Sequence, residues 1–307
     1  MLLSRLGVAP TTPGASGGRD NLVAGTYRPG ATTTGYLTGT SFTVVSGNVT
    51  HSTPSTVYRN TKFEGKVTRA ASNCSYLNCW FAGEASPVAS SPLVNCDNDY
   101  TGTYFEDCTF QPGTPNVYHS YGVVGEGFTA KRCYFRYAID GVRIRNLNGA
   151  VASVTIEQSF IDELAWWASD PDQVDGSHND GIQMEGGSGI VIRYNYIRGY
   201  SCQTPGIGDQ PTGRNPSQPQ ALSALMYTNN VNAINAQVYS NWLAGGEITI
   251  NATKDSLSGT DIGSISDNTF EANSYYSGHS LDVQSGMTYS QTNNRYESGT
   301  LITVHSG

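Results

Sequence analysis

Charged residues are scarce in this 307-residue chain, at 14% of the total, and the Leu-, Ala-, Glu- and Lys-rich composition of helical bundles is missing. Basic residues are scarcer still. Lys and Arg number 17 against 25 Asp and Glu, for a formal net charge of −8, and they form no cluster. Phosphate backbones are held by clustered cations, so nucleic acid is excluded as a partner. No run of 18 apolar residues occurs, which predicts no membrane span. The opening stretch Met1–Pro10 is broken by Arg5 and Gly7 and is shorter than a secretory apolar core, so no signal peptide is predicted. What is abundant is Gly, Thr, Ser, Asn and Tyr, a composition that suits an all-β chain with many turns.

A six-residue pattern recurs: an apolar residue, two mostly polar ones, then Thr, Cys, Ser or Asn, one variable residue and a large apolar residue. It reads YRNTKF at Tyr58–Phe63, YLNCWF at Tyr76–Phe81, FEDCTF at Phe105–Phe110, AKRCYF at Ala130–Phe135 and IEQSFI at Ile156–Ile161. It continues as IRYNYI at Ile192–Ile197, VYSNWL at Val238–Leu243, ISDNTF at Ile265–Phe270 and a weaker QTNNRY at Gln291–Tyr296. The fourth positions are Thr61, Cys79, Cys108, Cys133, Ser159, Asn195, Asn241, Asn268 and Asn294, spaced by 18, 29, 25, 26, 36, 46, 27 and 26 residues. A unit near 25 residues, lengthened where loops bulge out, is the signature of a solenoid whose coils bury their inner faces only by stacking. The expected fold is all-β: a right-handed, single-stranded parallel β-helix with stacked Cys and Asn ladders. Of the six cysteines (Cys74, Cys79, Cys96, Cys108, Cys133 and Cys202), Cys79, Cys108 and Cys133 are expected as buried, stacked thiols rather than disulfides.

Residues 1–20, rich in Thr, Pro, Gly, Ser and Ala, read as an extended N-terminal arm. Residues 21–307 read as one β-helix domain, begun by the β-prone stretch 21–57 and ended by a strand at Leu301–Val304. A second strand follows each copy of the pattern, best seen at Asp140–Arg145, Asp180–Glu185, Glu247–Asn251 and Leu281–Gln284. Alternation places Val142, Ile144, Ile182, Met184, Ile248 and Ile250 inside, and Arg143, Arg145, Gln183, Glu185, Thr249, Asn251, Asp282 and Gln284 outside. Ser223–Tyr227 fills the coil between.

The two longest spacings come from insertions at 162–176 and 200–221, which bracket the strand after His178. Long loops beside one rigid strand commonly build sites. The candidate catalytic residues are His178, Asp180, Glu185 and Asp140, since a His and carboxylates on a solvent face suit general acid–base work. Arg143, Arg145 and Gln183, with Trp166 and Trp167 in the first insertion, are candidates for substrate binding by ion pairing and ring stacking. A plainer reading stands beside this one. Asp140-Gly141 and Asp180-Gly181 are ordinary strand-starting turns, and Arg145 opposite Glu185 is a cross-strand ion pair. Asp162, Glu163, Asp170, Asp172 and Asp175 offer oxygen ligands for calcium, although their spacing is not that of an EF-hand loop and a solvated acidic loop explains them as well. No other cofactor and no other metal is indicated.

The strings HNDGIQ (His178–Gln183), GGSGIVIRYNYI (Gly186–Ile197), SALM (Ser223–Met226) and NWLAGGEITI (Asn241–Ile250) resemble right-handed β-helix proteins of the pectate-lyase-like superfamily. These occur among actinobacterial secreted proteins and among minor tail proteins of actinobacteriophages. The resemblance runs from about Tyr58 to Ile250 and implies the fold and a cell-envelope or polysaccharide setting. It implies no defined reaction, and the pectate lyase arrangement of an Arg or Lys base has no counterpart here. The first expectation is therefore a tailspike-like module of a virion tail, touching host envelope glycans and other tail proteins, and by analogy a homotrimer. Two other readings stay open: an extracellular or virion-borne polysaccharide lyase or glycoside hydrolase, and a structural spacer in a virion assembly.

Overall fold

The computed structural model describes residues 28–306 except 88–90, 115–116, 146–152, 172, 174–175, 203, 210–222, 229–233 and 254–260. The arm at 1–20 therefore lies outside the described residues, as do Asp172 and Asp175. Among the described residues every regular element is a strand, and none is a helix long and apolar enough to cross a membrane. The strands form three sheets, two of ten strands and one of nine, and within each sheet every strand pairs in parallel with the strand three places along the chain. That is a right-handed parallel β-helix. One chain winds through ten coils; each gives one strand to sheet A and one to sheet B, and the first nine also give one to sheet C. The first coil holds Thr43–Ser46, Val49–His51 and Val57–Arg59; the last holds Arg295–Tyr296 and His305–Ser306.

The six-residue pattern spans the corner from sheet C to sheet A, and its fourth position is a continuous interior ladder. Asn195, Asn241, Asn268 and Asn294 are buried and joined Oδ1 to backbone N–H: Asn195 N donates to Asn241 Oδ1 at 3.0 Å, Asn241 N to Asn268 Oδ1 at 3.0 Å, and Asn268 N to Asn294 Oδ1 at 3.2 Å. Each Nδ2 then reaches a carbonyl of the preceding coil, as Asn241 does to Ile192 O at 2.9 Å. The ladder continues through Ser159, whose Oγ accepts from Cys133 N at 3.0 Å. The thiols do the same job more weakly: Cys79, Cys108 and Cys133 donate to the carbonyls of Tyr58, Tyr76 and Phe105 at 3.6, 3.3 and 3.7 Å. All six cysteines are free and buried. Burial pushes the Cys108 thiol well above its ordinary value and the Cys96 thiol up to about 11.

The third position of the pattern carries a rule that sequence reading passed over. Asn60, Asn78, Asp107, Arg132, Gln158, Tyr194, Ser240, Asp267 and Asn293 all have positive φ, between 48° and 58°. Each is a left-handed residue that turns the chain from sheet C into sheet A. Asn and Asp tolerate this conformation best; Arg132, Gln158 and Tyr194 adopt it at a cost.

Inside, the core changes character along the axis. Phe63, Phe81, Phe110 and Phe135 stack in successive coils with ring centroids 5.3, 4.7 and 4.5 Å apart. Beyond them the same column is Ile161, Ile197 and Leu243, all fully buried. Val142, Ile144, Ile182, Met184 and Ile250 point inward as alternation requires. Four details of the sequence reading are corrected. The eighth sheet-B strand is Ile250–Ala252, so Ile248 lies before it and is only half-buried, while Thr249 is buried and donates to Gly245 O at 2.9 Å. Asp282 is covered, held by His279 Nδ1 at 2.8 Å. The last strand is His305–Ser306, and Leu301 is exposed. The solenoid begins at Thr43, and residues 28–42 run along the outside of sheet A.

Candidate glycan-binding face

The connections between strands are distributed unevenly. From sheet C to sheet A the chain needs one or two residues. Every connection of ten residues or more, at 82–93, 111–120, 162–179, 200–222 and 271–280, leaves from the corner between sheets A and B. The two insertions read from the sequence thus both arise, like the other long connections, between a sheet-A strand and the sheet-B strand that follows it.

On that face, the strands Tyr121–Gly125, Asp140–Ile144, Asp180–Met184 and Ser223–Tyr227 lie in successive coils. Val124, Arg143, Gln183 and Met226 form one outward row. Val124 and Met226 are buried, so the face is partly roofed. At the strand starts, Gly122 and Gly141 sit where a Cβ would strike the core residues Phe135 and Ile161, at 3.1 and 2.6 Å. Their glycine is required by that close approach, and it leaves Tyr121 and Asp140 on the outer side. The Asp-Gly signal is therefore both a strand start and a device that aims the preceding side chain outward.

Arg143 is the hub. Its fork bonds Tyr121 Oη and Glu185 Oε1, and its guanidinium lies 4.9 Å from the Tyr121 ring centroid. Arg143, not Arg145, is thus the partner of Glu185; Arg145 pairs instead with Asp97 two coils away. Asp140 and Asp180 are buried in adjacent coils, and Asp180 N donates to Asp140 Oδ1 at 2.8 Å. Burial pushes the Asp140 carboxyl from the usual carboxylate range up to about 8, against the pull of the Asp180 N–H and Arg143 and with the push of Glu185 and Asp170. Gln183 is half-buried opposite Arg143, and His178 is half-buried two residues before its strand.

The tryptophans separate. Trp166 is wedged between the insertions, with the Cβ positions of Gly176 and Gly208 closing on it at 2.7 and 2.4 Å. Trp167 lines a shallow cleft with Tyr137, Val117, Pro112 and Ile207. Its ring lies 5.9 Å from Tyr118, whose hydroxyl donates to Asp170 Oδ2 at 3.0 Å. Neither indole N–H has a partner among the described residues. The first insertion is pinned by Asn179, between the two candidates His178 and Asp180. Its Nδ2 donates to Ile139 O at 2.9 Å and Ala165 O at 2.8 Å, and its Oδ1 accepts from Ser177 Oγ at 2.8 Å.

The described acids of the first insertion point to different partners. Asp162 pairs with Arg198 at 2.5 Å and Glu163 with Arg136 at 3.2 Å, while Asp170 accepts from Tyr118. Among the described residues no three His, Cys, Asp or Glu converge as a metal site. Tyr121, Asp97, Tyr118 and Tyr137 belong to this face and were missed by the sequence reading. The repeated residue-Gly at strand starts (Tyr121-Gly122, Asp140-Gly141, Asp180-Gly181) was the signal for the first of them.

Comparison with protein-family models, with curated proteins and with solved structures returns no match to this chain.

Proposed function

We propose that this protein is a glycan-contacting β-helix module of the tailspike kind, displayed on a virion tail, that binds host cell-envelope polysaccharide. The observation that carries the glycan half is the placement of every long loop on one corner. The described parts of these loops form an aromatic cleft, and the sheet-B strands they lead into carry an arginine fork and carboxylates, the side-chain set that grips sugar hydroxyls and stacks on sugar rings. The tail half rests on the resemblance of the strings around His178–Gln183 and Gly186–Ile197 to minor tail proteins, as does the expected homotrimer. Light scattering at micromolar concentration tests the trimer, and a monomer there counts against it.

A second reading, a polysaccharide hydrolase, has one observation in its favour. Asp140 carries its proton near neutral pH beside Asp180, in a coil whose neighbour lies about 4.8 Å away. A protonated and an ionised carboxyl in adjacent coils is the kind of acid pair that glycosidases use. One experiment addresses both readings: incubate the protein with purified actinobacterial envelope polysaccharide, measure binding, and assay new reducing ends and unsaturated-product absorbance. The binding reading expects retention of polysaccharide that weakens about tenfold in Trp167→Ala, with no product. New reducing ends without unsaturated product, lost in Asp180→Asn while binding and melting temperature stay near wild type, make it a hydrolase; unsaturated product makes it a lyase instead. Neither binding nor product overturns both.

A further inference from the structure

Sheet A carries a second outward stripe that the glycan-binding face does not use. Trp80, Tyr134, Phe160, Tyr196 and Trp242 project from the third, fifth, sixth, seventh and eighth coils, in one register row. An aromatic stripe of this length on a sheet's outer face would ordinarily mark an interface. Here the chain covers it with its own residues 28–42, which run against the direction of winding. Gly35 N donates to Arg132 O at 2.8 Å, Tyr36 N to Thr109 Oγ1 at 3.1 Å and Leu37 N to Asn78 Oδ1 at 2.6 Å, stepping down the coils. Tyr36 and Phe42 then pack on Trp80, with ring centroids 5.7 and 6.3 Å away. Gly35 is needed at the crossing, because its φ is 75° and a Cβ would meet Thr109 Oγ1 at 2.5 Å.

The far end of this strap is Arg28. Its guanidinium lies 4.1 Å from the Tyr196 ring centroid and 4.9 Å from that of Trp242. It bonds Tyr196 Oη and Glu271 Oε1, and reaches Glu297 Oε1 at 3.4 Å. These four partners come one from each of the last four coils. Tyr196 Oη also donates to Glu271 Oε1 at 2.6 Å, and Asn273 Nδ2 to Glu271 Oε2 at 2.7 Å, so the carboxylate is fixed independently of the arginine. Two aromatic faces and two carboxylates around one position match the planar, delocalised guanidinium better than a compact ammonium.

We propose that Tyr196, Trp242, Glu271 and Glu297 form a guanidinium-binding cage whose ligand is the chain's own Arg28, and that this clasp couples the last four coils to the first half of the solenoid. Each coil of a solenoid otherwise touches only its neighbours, so its ends open independently of its middle. A strap anchored at Trp80 and at Glu297 makes opening of the final coils require release of a segment held in the third to fifth.

Hydrogen exchange on the full chain tests this, comparing peptides over 265–271 and 291–297 with a peptide over 121–125. In Arg28→Ala, exchange of the first two is expected to speed up at least tenfold while 121–125 is unchanged. Millimolar ethylguanidinium is expected to restore protection, and Arg28→Lys to give an intermediate result. Unchanged exchange over 265–297 in Arg28→Ala overturns the clasp, and failure of ethylguanidinium to slow it overturns the cage. Should Arg28→Ala not fold, Glu297→Gln is read the same way. Its carboxylate is half exposed and makes one long contact, so a two- to fivefold acceleration confined to the last two coils is expected, and none contradicts the proposal.

Discussion

At the scale of single residues the structure turns on buried polar groups that are each given a partner by stacking. Asn241 illustrates the arithmetic. Its Oδ1 accepts from Asn195 N and Nδ2, and its Nδ2 donates to Ile192 O. Asn241→Leu keeps the volume but strands the Asn195 N–H and the Ile192 carbonyl in the interior, at about 1–3 kcal/mol each. A melting temperature lowered by several degrees is expected in a thermal scan, and an unchanged one would mean the side chain points outward. Asp140 makes the opposite case, a carboxyl buried beside other acids. Because its folded pKa is raised to about 8, its contribution to stability is full below the unfolded carboxylate range and is lost as pH rises through 8. Asp140→Asn keeps the acceptor for Asp180 N and never ionises. It is therefore expected to melt near wild type at pH 5 and a few degrees above it at pH 9, followed by circular dichroism across that range.

At the scale of elements, the turn from sheet C to sheet A is the unit that repeats. Its fourth position was legible in the sequence because an interior ladder must be small or amide-bearing, which restricts it to Thr, Cys, Ser and Asn. The third position was not legible, because a left-handed φ is a backbone demand that Asn, Asp, Arg, Gln, Tyr and Ser all meet here. The cost of that tolerance is testable at Gln158, with φ 56° and a buried Oε1 that has no partner among the described residues. Gln158→Asn is expected to raise stability by about 0.5–1 kcal/mol, seen as a higher urea midpoint at unchanged slope. Alternation foresaw the inward faces of Asp140–Arg145 and Asp180–Glu185 but misjudged Ile248 and Thr249, where the strand starts later than the apolar pattern suggests. The candidate site was half legible. Arg143, Glu185, Asp140 and Asp180 do come together. Arg145 and Trp166 are taken by Asp97 and by packing between the insertions, outcomes set by contacts across coils that spacing along the chain does not encode.

At the scale of the whole molecule, the solenoid sorts its surfaces by corner and sheet. One corner carries the long loops, the outer face of sheet B carries the charged hub, and sheet A is strapped by residues 28–42. The proposed function depends on the first two surfaces acting together, with a polysaccharide chain lying across successive coils. The most direct measurement is a hydrogen-exchange footprint of the full chain with and without saturating actinobacterial envelope polysaccharide. Protection is predicted over 117–125, 140–145, 163–171 and 178–185, with none over the sheet-A strap at 28–42. Protection confined to the strap, to sheet C or to the last coil, with 140–145 and 178–185 unchanged, would contradict the assignment of this face.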